Sequence, residues 1–384
     1  MLRLKKGRDQ RARTHPWIFK GDVADVSDVA AGDAVTVLDS GGRFVGRGLF
    51  NPRPALCCRI FTWVDEAVDA AWLGRRVQAA VAARAGIQRE AVRLVWSEAD
   101  GLPGLVVDRY GPALAVQCLT LGIARWRDAI VAALRRSVGD LPVAGADDGA
   151  MAALEGFTPA SGWLDRPGPE EIVVDEAGVR LGVRPGAGQK TGLYLDQREN
   201  RRRAEARAAD QRVLDLFCYQ GEWALHAARG GAAQVLAVDS SAPALEIARR
   251  NAERNGCADR VSFRQGDCFD IVRELERGAE RFGLVILDPP ALIKSRSSLA
   301  AGARAYREIN RAAMGLLAEG GTLVTCSCSH HLEDPLFRQV LIEAARAAHR
   351  PFRVLDWAAE APDHPQLLAV PETHYLKCAV LQAI

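Results

Sequence analysis

The spacing of apolar positions changes along the chain, and the changes predict its domains. Up to about Thr62 the apolar runs are short and strand-like, as in WIFKGDVADV, DAVTVLDSGGRFVGRGLF and LCCRIF. Gly41 and Gly42 lie between two β-rich runs and predict a hairpin turn. Several short strands close together predict a small barrel or folded sheet over residues 1–65.

Residues 66–185 mix the helical and the strand period. AAWLGRRVQAAVAARAGI and WRDAIVAALRRSV have apolar residues at helical spacing. The stretch VRLVWSEADGLPGLVVDRYGPALAVQCL predicts three strands joined by turns, and EIVVDEAGVRLGVRP predicts a hairpin that turns near Ala177 and Gly178. We therefore expect a mixed α+β domain here.

Residues 186–384 contain five apolar runs typical of strands: RVLDLFCYQG, AQVLAVDSS, RVSFRQGD, FGLVILDPP and GGTLVTCSCS. Helical stretches separate these runs. Strands that alternate with helices predict an α/β fold with a parallel sheet and helices on both faces.

The composition of the 384 residues does not by itself exclude a class of binding partner. The net charge of +2 neither demands nor excludes a nucleic-acid partner. Basic residues crowd the start, where a phosphate-contacting edge and a solvated strand end explain them equally well: Lys5, Lys6, Arg8, Arg11 and Arg13.

Location and metal content are also predicted from the sequence. No run of about 18 apolar residues appears, so no membrane span is expected, and no secretory signal is visible. The nine cysteines include no C-x-x-C pair, so we expect no zinc site. An odd number of cysteines without a secretion signal fits the reducing cytosol and predicts a cytoplasmic protein.

Ligands of open α/β sheets bind at the carboxyl ends of the strands. The loop from Asp215 to Gly221 follows the first of these strands and has a single glycine, so it serves a dinucleotide pyrophosphate poorly. S-adenosylmethionine has no phosphate and needs fewer backbone N–H groups, although a tight turn also explains the loop. Asp239 ends the second strand at the interval where an acid meets ribose hydroxyls, which does not distinguish NAD from S-adenosylmethionine.

Acids also follow the third and fourth strands. Asp267 is placed either to hold an adenine amino group or to cap the helix that starts near Phe269, and the two roles are compatible. Asp288 precedes Pro289 and Pro290, which have no N–H to donate. The carboxylate and the proline carbonyls predict a rigid acceptor wall suited to a base with an exocyclic amine.

The fifth strand leads into a segment with two thiols, Cys326 and Cys328, followed by His330 and His331. A thiolate that adds to carbon 6 of a pyrimidine makes carbon 5 nucleophilic. Strand alternation puts both cysteines on one face, with Cys328 nearer the crevice, so the two thiols compete for this role. The histidines either assist or belong to a solvated turn.

The segment from Gly188 to Arg198 only superficially resembles a phosphate loop, because it lacks the G-x-x-x-x-G-K-[ST] frame. We interpret it as a lid over the cofactor. Asp196 and Arg198 are alternatively caps of the next helix.

Taken together, the motifs resemble a known family. GQKTGLYLDQREN, VLDLFCYQGEWALHAA, AVDSSAPALEIARRN, LDPPALIKS, YREIN and TCSCSHH look like those of the bacterial RlmI/RlmO-type 23S rRNA (cytosine-C5)-methyltransferases. RLKKGRDQRARTHPWIF resembles their N-terminal PUA domain, and EADGLPGLVVDRYG resembles their central EEHEE domain. The resemblance covers essentially the whole chain.

The resemblance implies a PUA-like RNA-binding domain at 1–65, a central EEHEE domain at 66–185 and a Rossmann-like class I methyltransferase domain at 186–384. It implies 23S rRNA as partner, leaves a homodimer open, and assigns Cys328 as nucleophile, with Asp288 placed against the cytosine. The residues expected to hold S-adenosylmethionine are Tyr194, Gln197, Asp215, Phe217, Tyr219, Gly221, Asp239, Ser240, Asp267, Cys268 and Asp288.

Three other functions compete with this hypothesis. One is methylation of an exocyclic purine amine, which would use the Asp288 wall and no thiol. Another is a non-catalytic RNA-binding assembly factor. The weakest is an NAD-dependent oxidoreductase, which the missing glycines disfavour.

Overall fold

A computed structural model describes residues 1–186 and 191–384 of the chain. These residues divide into two compact units. The first comprises Met1–Val174, Val183–Leu195 and Pro362–Thr373, and the second comprises Asp175–Gly182, Asp196–Ala361 and His374–Ile384. The three-domain division at 1–65, 66–185 and 186–384 stays a prediction, as does the homodimer.

The first unit begins with the strand-rich segment that the sequence predicts. Its sheet has the order β2-β6-β5-β4-β1-β3. Gly42 adopts φ +85° in the turn between β4 and β5, which pair antiparallel and confirm the predicted hairpin. The elements are β1 (Leu2–Leu4), α1 (Asp9–Ala12), β2 (Trp17–Phe19), β3 (Val23–Val26), β4 (Ala34–Leu38), β5 (Phe44–Phe50) and β6 (Leu56–Thr62).

A second sheet of the same unit has the order β11-β10-β9-β8-β7 and packs against helices. Trp72, Leu73 and Val77 lie on the buried face of α2 and join the core beneath this sheet. The α+β prediction is confirmed by α2 (Ala70–Ala83), β7 (Ala91–Trp96), β8 (Leu105–Tyr110), β9 (Ala113–Cys118), α3 (Leu121–Arg125), α4 (Arg127–Val138), β10 (Val143–Ala146), α5 (Gly149–Glu155) and β11 (Ser161–Trp163).

A separate hairpin follows, formed by β12 (Ile172–Glu176) and β13 (Val179–Val183). Ala177 and Gly178 at its tip both have positive φ, +52° and +88°. A two-residue turn with positive φ at both positions matches the twist of the flanking strands. The predicted turn position is therefore correct.

The second unit is built on a large sheet with the order β16-β15-β14-β17-β18-β20-β19. Strands β14 to β18 are parallel neighbours, which confirms the five predicted strands and the predicted fold class. The strands are β14 (Arg212–Leu216), β15 (Gln234–Asp239), β16 (Val261–Gln265), β17 (Phe282–Leu287), β18 (Leu317–Ser327), β19 (Phe352–Ala358) and β20 (Lys377–Ala383).

The sheet departs from the prediction at one end, where β20 runs antiparallel between β18 and β19. Apolar periodicity predicts that a strand exists but not its direction, so the sequence does not predict this antiparallel insertion. The helices of this unit are α6 (Arg198–Glu205), α7 (Glu222–Arg229), α8 (Ala242–Arg254), α9 (Cys268–Arg277), α10 (Leu299–Gly315) and α11 (Asp334–Ala347).

Helix α9 shows how the sequence forms these elements. Asp267 caps its first turn by accepting hydrogen bonds from the amides of Phe269 and Asp270, at 2.8 and 3.2 Å. Ile271, Val272 and Leu275 recur at helical spacing and are buried in the core of the sheet. No helix in the described ranges is long and apolar enough to cross a bilayer.

Candidate active site

The order of the parallel strands reverses at β14, which lies between β15 and β17. A crevice forms outside the carboxyl ends of the strands at such a reversal. Three predicted acids lie there. Asp215 is the fourth residue of β14, Asp239 ends β15, and Asp288 directly follows β17.

The loop after β14 has an unusual backbone for its sequence. Phe217 and Tyr219 adopt left-handed conformations, with φ of +64° and +49°, ahead of Gly221 at +85°. Left-handed backbone costs a side-chain-bearing residue about 1–2 kcal/mol. The Phe217 amide donates to the Cys268 Sγ at 3.3 Å, and the Tyr219 amide donates to Oδ2 of Asp239 at 2.9 Å. These bonds hold the loop in the strained shape that glycine-rich loops reach without strain.

Backbone groups on both sides orient the carboxylate of Asp239, next to the predicted residue Ser240. Its Oδ1 accepts a 2.8 Å hydrogen bond from the Ser241 amide, so both carboxylate oxygens are oriented by backbone N–H groups. Ser240 is exposed, and its carbonyl accepts from Gln265 at 3.2 Å. Each oxygen of Asp239 keeps a second lone pair that a ribose hydroxyl can use.

Asp215 is fully buried, and neither of its oxygens has a hydrogen-bond partner of good geometry. Burial raises the pKa of Asp215 well above its ordinary value, and the nearby Asp288 and Glu222 carboxyls raise it further. Burial also raises the pKa of Glu222 to about 7, against the opposing charge of Arg201, and Oε1 of Glu222 has no partner. Unsatisfied buried acids of this kind are typical of functional sites.

Asp288 is held from two sides. The Trp223 indole nitrogen donates to Oδ2 and the Gln197 side-chain amide donates to Oδ1, both at 3.0 Å. Asn200 in turn donates to Oε1 of Gln197 at 2.7 Å, which orients that amide. Burial raises the pKa of Asp288 to about 6, and the two donors limit the rise.

The two competing thiols differ sharply in their surroundings. Cys326 lies inside β18, fully buried and directly opposite Cys378 of β20, and burial raises its pKa well above the ordinary value. Cys328 lies just past the end of β18, is half-buried, and has its Sγ 4.0 Å from the Pro289 carbonyl oxygen. The other eight cysteines of the chain are all buried.

A buried lysine lies beside Cys328. Lys377 Nζ donates to the carbonyls of Ser329 and Tyr375 at 2.9 and 2.8 Å, and its charge interacts with Cys328. A cation in electrostatic reach of a thiol favours the reactive thiolate. His330 packs near Tyr375, with ring centroids 5.6 Å apart.

The structure thus brings most of the predicted residues together in the second unit. Tyr194 belongs to the first unit and its role stays a prediction. Of the predicted lid, Gly188, Gln189 and Lys190 lie outside the described residues. The alternative that Asp196 or Arg198 caps the next helix is wrong, because the N-cap of α6 is Gln197 and it makes no side-chain capping hydrogen bond. Asp196 instead accepts a 2.5 Å hydrogen bond from the Tyr375 hydroxyl.

Four side chains of the site were missed from the sequence: Glu222, Trp223, Arg201 and Lys377. Glu222 and Trp223 open helix α7 directly after Gly221, so following the loop into its helix would have found them. Lys377 has no local signal, because it comes from the antiparallel strand β20.

The chain matches the model of an S-adenosylmethionine-dependent methyltransferase family over residues 116–374, and that of a PUA-like domain over residues 2–63. The chain belongs to this methyltransferase family. S-adenosylmethionine is therefore the cofactor of this methyltransferase.

Curated relatives match the methyltransferase over nearly its full length. Ribosomal RNA large subunit methyltransferase I of Shewanella denitrificans is 38% identical, over 98% of this chain and 97% of the relative. The protein of the same name from Photobacterium profundum is 37% identical, over 97% of each chain.

Solved structures share the fold of the methyltransferase. An S-adenosylmethionine-dependent methyltransferase from Streptococcus mutans has a TM-score of 0.87 at 19% identity and covers 99% of both chains. The methyltransferase SMU.776 complexed with SAH has the same TM-score at 18% identity and the same coverage. At such low identity the likeness is one of fold.

The donors and acceptors of the site fit the cofactor. S-adenosylmethionine carries a sulfonium and an ammonium against one carboxylate, so it is a net cation without phosphate. The unpartnered oxygens of Asp215 and Glu222 favour a cation and would repel a pyrophosphate. The missing glycine-rich phosphate loop is consistent with this.

Proposed function

We propose that this methyltransferase transfers a methyl group to carbon 5 of a cytosine in 23S ribosomal RNA, through a covalent adduct between Cys328 and carbon 6. The curated relatives are named for the large-subunit ribosomal RNA, and the PUA-like match suits an RNA substrate. The observation that carries the cytosine chemistry is the position of Cys328. It is the one cysteine of nine that is not buried, and it lies beside Pro289, next to Asp288.

Carbon 5 of cytosine is too electron-poor to attack a sulfonium unaided. The Cys328 thiolate forms a bond to carbon 6, and the electron pair of the 5,6 double bond makes carbon 5 nucleophilic. Bound S-adenosylmethionine would supply the methyl group to carbon 5, and the broken methyl–sulfur bond would leave S-adenosylhomocysteine as the second product. A base then removes the carbon 5 proton, the double bond re-forms, and the Cys328 thiolate leaves.

Asp288 orients the target base in this proposal. Above its pKa of about 6 the carboxylate is mostly ionised and accepts a hydrogen bond from the 4-amino group of cytosine. Trp223 and Gln197 occupy one lone pair on each oxygen and leave the others for the base. The Pro289 carbonyl is a second acceptor. The peptide group that it belongs to has no N–H, because the next residue is Pro290.

The cofactor-binding roles follow the same edge of the sheet. Asp215 and Glu222 suit the positive part of S-adenosylmethionine, and Asp239 suits the ribose hydroxyls. Asp267 is exposed at the start of α9, where its free lone pairs can accept from the adenine amine. Ser240 directly follows Asp239, and Cys268 directly follows Asp267.

Nucleoside mass spectrometry tests the proposal directly. Unmodified 23S rRNA is incubated with labelled S-adenosylmethionine and either the wild type or Cys328→Ala. We expect labelled 5-methylcytidine from the wild type alone. Label on a purine amine would support the thiol-independent alternative, and equal 5-methylcytidine from the variant would exclude the Cys328 adduct.

A mechanism-based trap provides an independent readout. RNA with 5-fluorocytidine cannot lose a proton from carbon 5, so a covalent protein–RNA adduct accumulates. We expect a denaturation-resistant band with the wild type and with Cys326→Ala, and none with Cys328→Ala. A band that persists in Cys328→Ala would move the nucleophile to another residue.

A further inference from the structure

We propose that a cationic strip, formed by Lys294, Arg296 and Arg304, binds the phosphodiester backbone of the RNA beside the target nucleotide. This inference rests on the proposed function, since it concerns the RNA that Cys328 attacks. It adds a binding surface on the catalytic unit itself, separate from the PUA-like domain.

The sequence around the strip has an unusual charge distribution. No acidic residue occurs between Asp288 and Glu308, although the chain has 48 Asp and Glu among 384 residues. The same stretch contains Lys294, Arg296 and Arg304. A segment with cations and no acids produces a local positive potential that attracts phosphate groups.

The three side chains of the strip are exposed and form no ion pair within the residues that the structure describes. Nearby exposed arginines differ in this respect, and Arg307, for example, pairs with Glu343 at 3.4 Å. A cation already paired with a carboxylate has less net attraction for a phosphate. The strip therefore has its full charge available to a polyanion.

The loop that holds Lys294 is attached to the reactive edge of the sheet. The amide of Ile293 donates a 3.2 Å hydrogen bond to Oγ of Ser329, the residue directly after Cys328. Ser329 is in turn held by the Tyr306 hydroxyl at 3.0 Å. Lys294 thus follows a residue that is hydrogen-bonded to the neighbour of Cys328, and in this proposal it contacts a nucleotide that flanks the target.

The strip continues away from the edge through Arg296 and Arg304. Oγ of Ser298 donates a 2.9 Å hydrogen bond to the Ser295 carbonyl, which closes the turn around Arg296. Helix α10 then begins, and its residue Arg304 lines an open groove of about 1080 Å³, whose other charged lining residues are three arginines and two glutamates: Arg307, Arg311, Arg346, Glu308 and Glu343. The three cations thus lie on three successive parts of the chain, a loop, a turn and helix α10, which suits contacts with several phosphates better than with a single anion.

The test compares Lys294→Ala/Arg296→Ala with Arg249→Ala/Arg250→Ala. The control removes the same charge from α8, where both arginines pair with Glu246. For unmodified 23S rRNA we expect the KM of the strip variant to rise roughly tenfold. The slope of log KM against log salt should fall by about 1.4, since a phosphate contact on a single strand contributes about 0.7.

The maximal rate at saturating RNA and the Kd for S-adenosylmethionine should be unchanged in both variants. Arg304→Ala should give about half the change in slope, about 0.7. A strip variant with the wild-type KM and slope would overturn the inference while the wild type still makes 5-methylcytidine. Wild-type failure to make 5-methylcytidine would instead refute the proposed function.

A replacement variant guards against misfolding, and one further outcome would contradict the RNA assignment. If the alanine variant has a lowered melting temperature, Lys294→Gln/Arg296→Gln takes its place, because glutamine keeps the length and polarity of the side chains. Unchanged RNA kinetics together with lost binding to polyglutamate would show that the strip serves an acidic polypeptide, and would overturn the RNA assignment.

Discussion

The Trp223 indole nitrogen donates a 3.0 Å hydrogen bond to Oδ2 of Asp288, so a residue at the start of helix α7 stabilises the charged form of the acid that follows β17. Burial alone would raise the pKa of Asp288 above its value of about 6. The hydrogen bond therefore helps to keep this carboxyl ionised at neutral pH, where the proposed mechanism needs it as an acceptor.

Trp223→Phe should shift the pH dependence of the methyl transfer. Phenylalanine fills most of the same space but removes the donor, so the pKa of Asp288 rises. The acid-side midpoint of kcat/KM against pH, expected near 6 in the wild type, should move to higher pH. Initial rates between pH 5 and 8.5 measure it, with Trp126→Phe as the control. An unmoved midpoint would show that Asp288 does not set the acid limb.

Cys326→Ala should retain 5-methylcytidine formation and lose some stability. Cys326 packs opposite Cys378 in the core of the sheet, and its thiol is inaccessible to RNA. Removal of a buried sulfur atom should cost about 1 kcal/mol of the free energy of unfolding. Chemical denaturation and nucleoside analysis measure the two effects. Cys378→Ala is the matched control, and loss of product in Cys326→Ala alone would make Cys326 part of the chemistry.

Asp215→Asn should stabilise the cofactor-free protein and weaken the binding of S-adenosylmethionine. Asp215 is buried among other acids and neither of its oxygens has a hydrogen-bond partner of good geometry, so its ionised form is unfavourable and its pKa is raised. A raised pKa means that Asp215 destabilises the fold increasingly as the pH rises above the ordinary pKa of 3.8. The gain in melting temperature should therefore be larger at pH 8 than at pH 5.

Calorimetric titration should show at least a tenfold weaker Kd for the cofactor with Asp215→Asn, because a carboxyl that can ionise next to the bound cation has been replaced by an amide that cannot. Asp148→Asn is a suitable control, since this exposed acid caps α5 and asparagine caps equally well. An unchanged Kd would remove Asp215 from the cofactor site.

Much of this fold is predictable because strand and helix periods differ. The parallel strands β14 to β18 and the acids at their ends follow from apolar runs and from the rule that ligands bind at carboxyl ends. The distinction between Cys326 and Cys328 follows less easily. Alternation puts both on one face, and only the structure shows that β20 pairs with the strand at Cys326 and that its first residue, Lys377, lies opposite Ser327, so the pairing stops before Cys328.

Other features of the site depend on contacts that no local pattern encodes. Phe217 and Tyr219 are left-handed because hydrogen bonds to Cys268 and Asp239 compensate their strain, and aromatic residues do not by themselves indicate such a backbone. Lys377 reaches Cys328 through an antiparallel strand inserted late in the chain.

Glu176→Gln should lower the free energy of unfolding at neutral pH. It should also make that free energy fall less as the solution is acidified. Arg201 donates two hydrogen bonds to Glu176, at 2.7 and 2.8 Å, and both side chains are buried. Despite the cost of burial, Arg201 and His226 lower the pKa of Glu176 to about 2. The stability of this pair is thus fully present above the ordinary pKa of about 4.5 and is lost as the pH falls toward 2.

Removing one partner of a buried pair costs about 3–5 kcal/mol, so urea denaturation at pH 7 should show a loss of that order in Glu176→Gln. Between pH 5 and 2 the variant should lose less stability than the wild type. Glu274→Gln, which breaks an exposed pair with Arg264, is the control and should change little. If the wild type and Glu176→Gln lost stability in parallel between pH 5 and 2, the buried pair of Glu176 and Arg201 would not be the cause of the loss in acid.

Gly302→Ala should slow the chemical step although alanine is the better helix former. In the interior of α10 the exchange would by itself stabilise the helix by about 1 kcal/mol. A Cβ at Gly302, however, would lie 2.3 Å from Cγ1 of Ile293 and 2.7 Å from the Leu292 carbonyl oxygen, which is backbone and cannot rotate away. The loop after Pro290 must therefore move.

This movement would act on the nucleophile through one hydrogen bond, that from the Ile293 amide to Ser329, the residue after Cys328. Because a misplacement of about 1 Å can cost a hundredfold in rate, we expect kcat and the rate of 5-fluorocytidine adduct formation to fall together by about that factor. The Kd for the cofactor should stay constant, because Asp215 and Asp239 lie on β14 and β15, whereas the displaced loop follows β17. Gly278→Ala, whose added Cβ meets nothing closer than 3.6 Å, is the control. If Gly302→Ala kept the wild-type rate of adduct formation, the attachment of this loop to Ser329 would have no part in positioning Cys328.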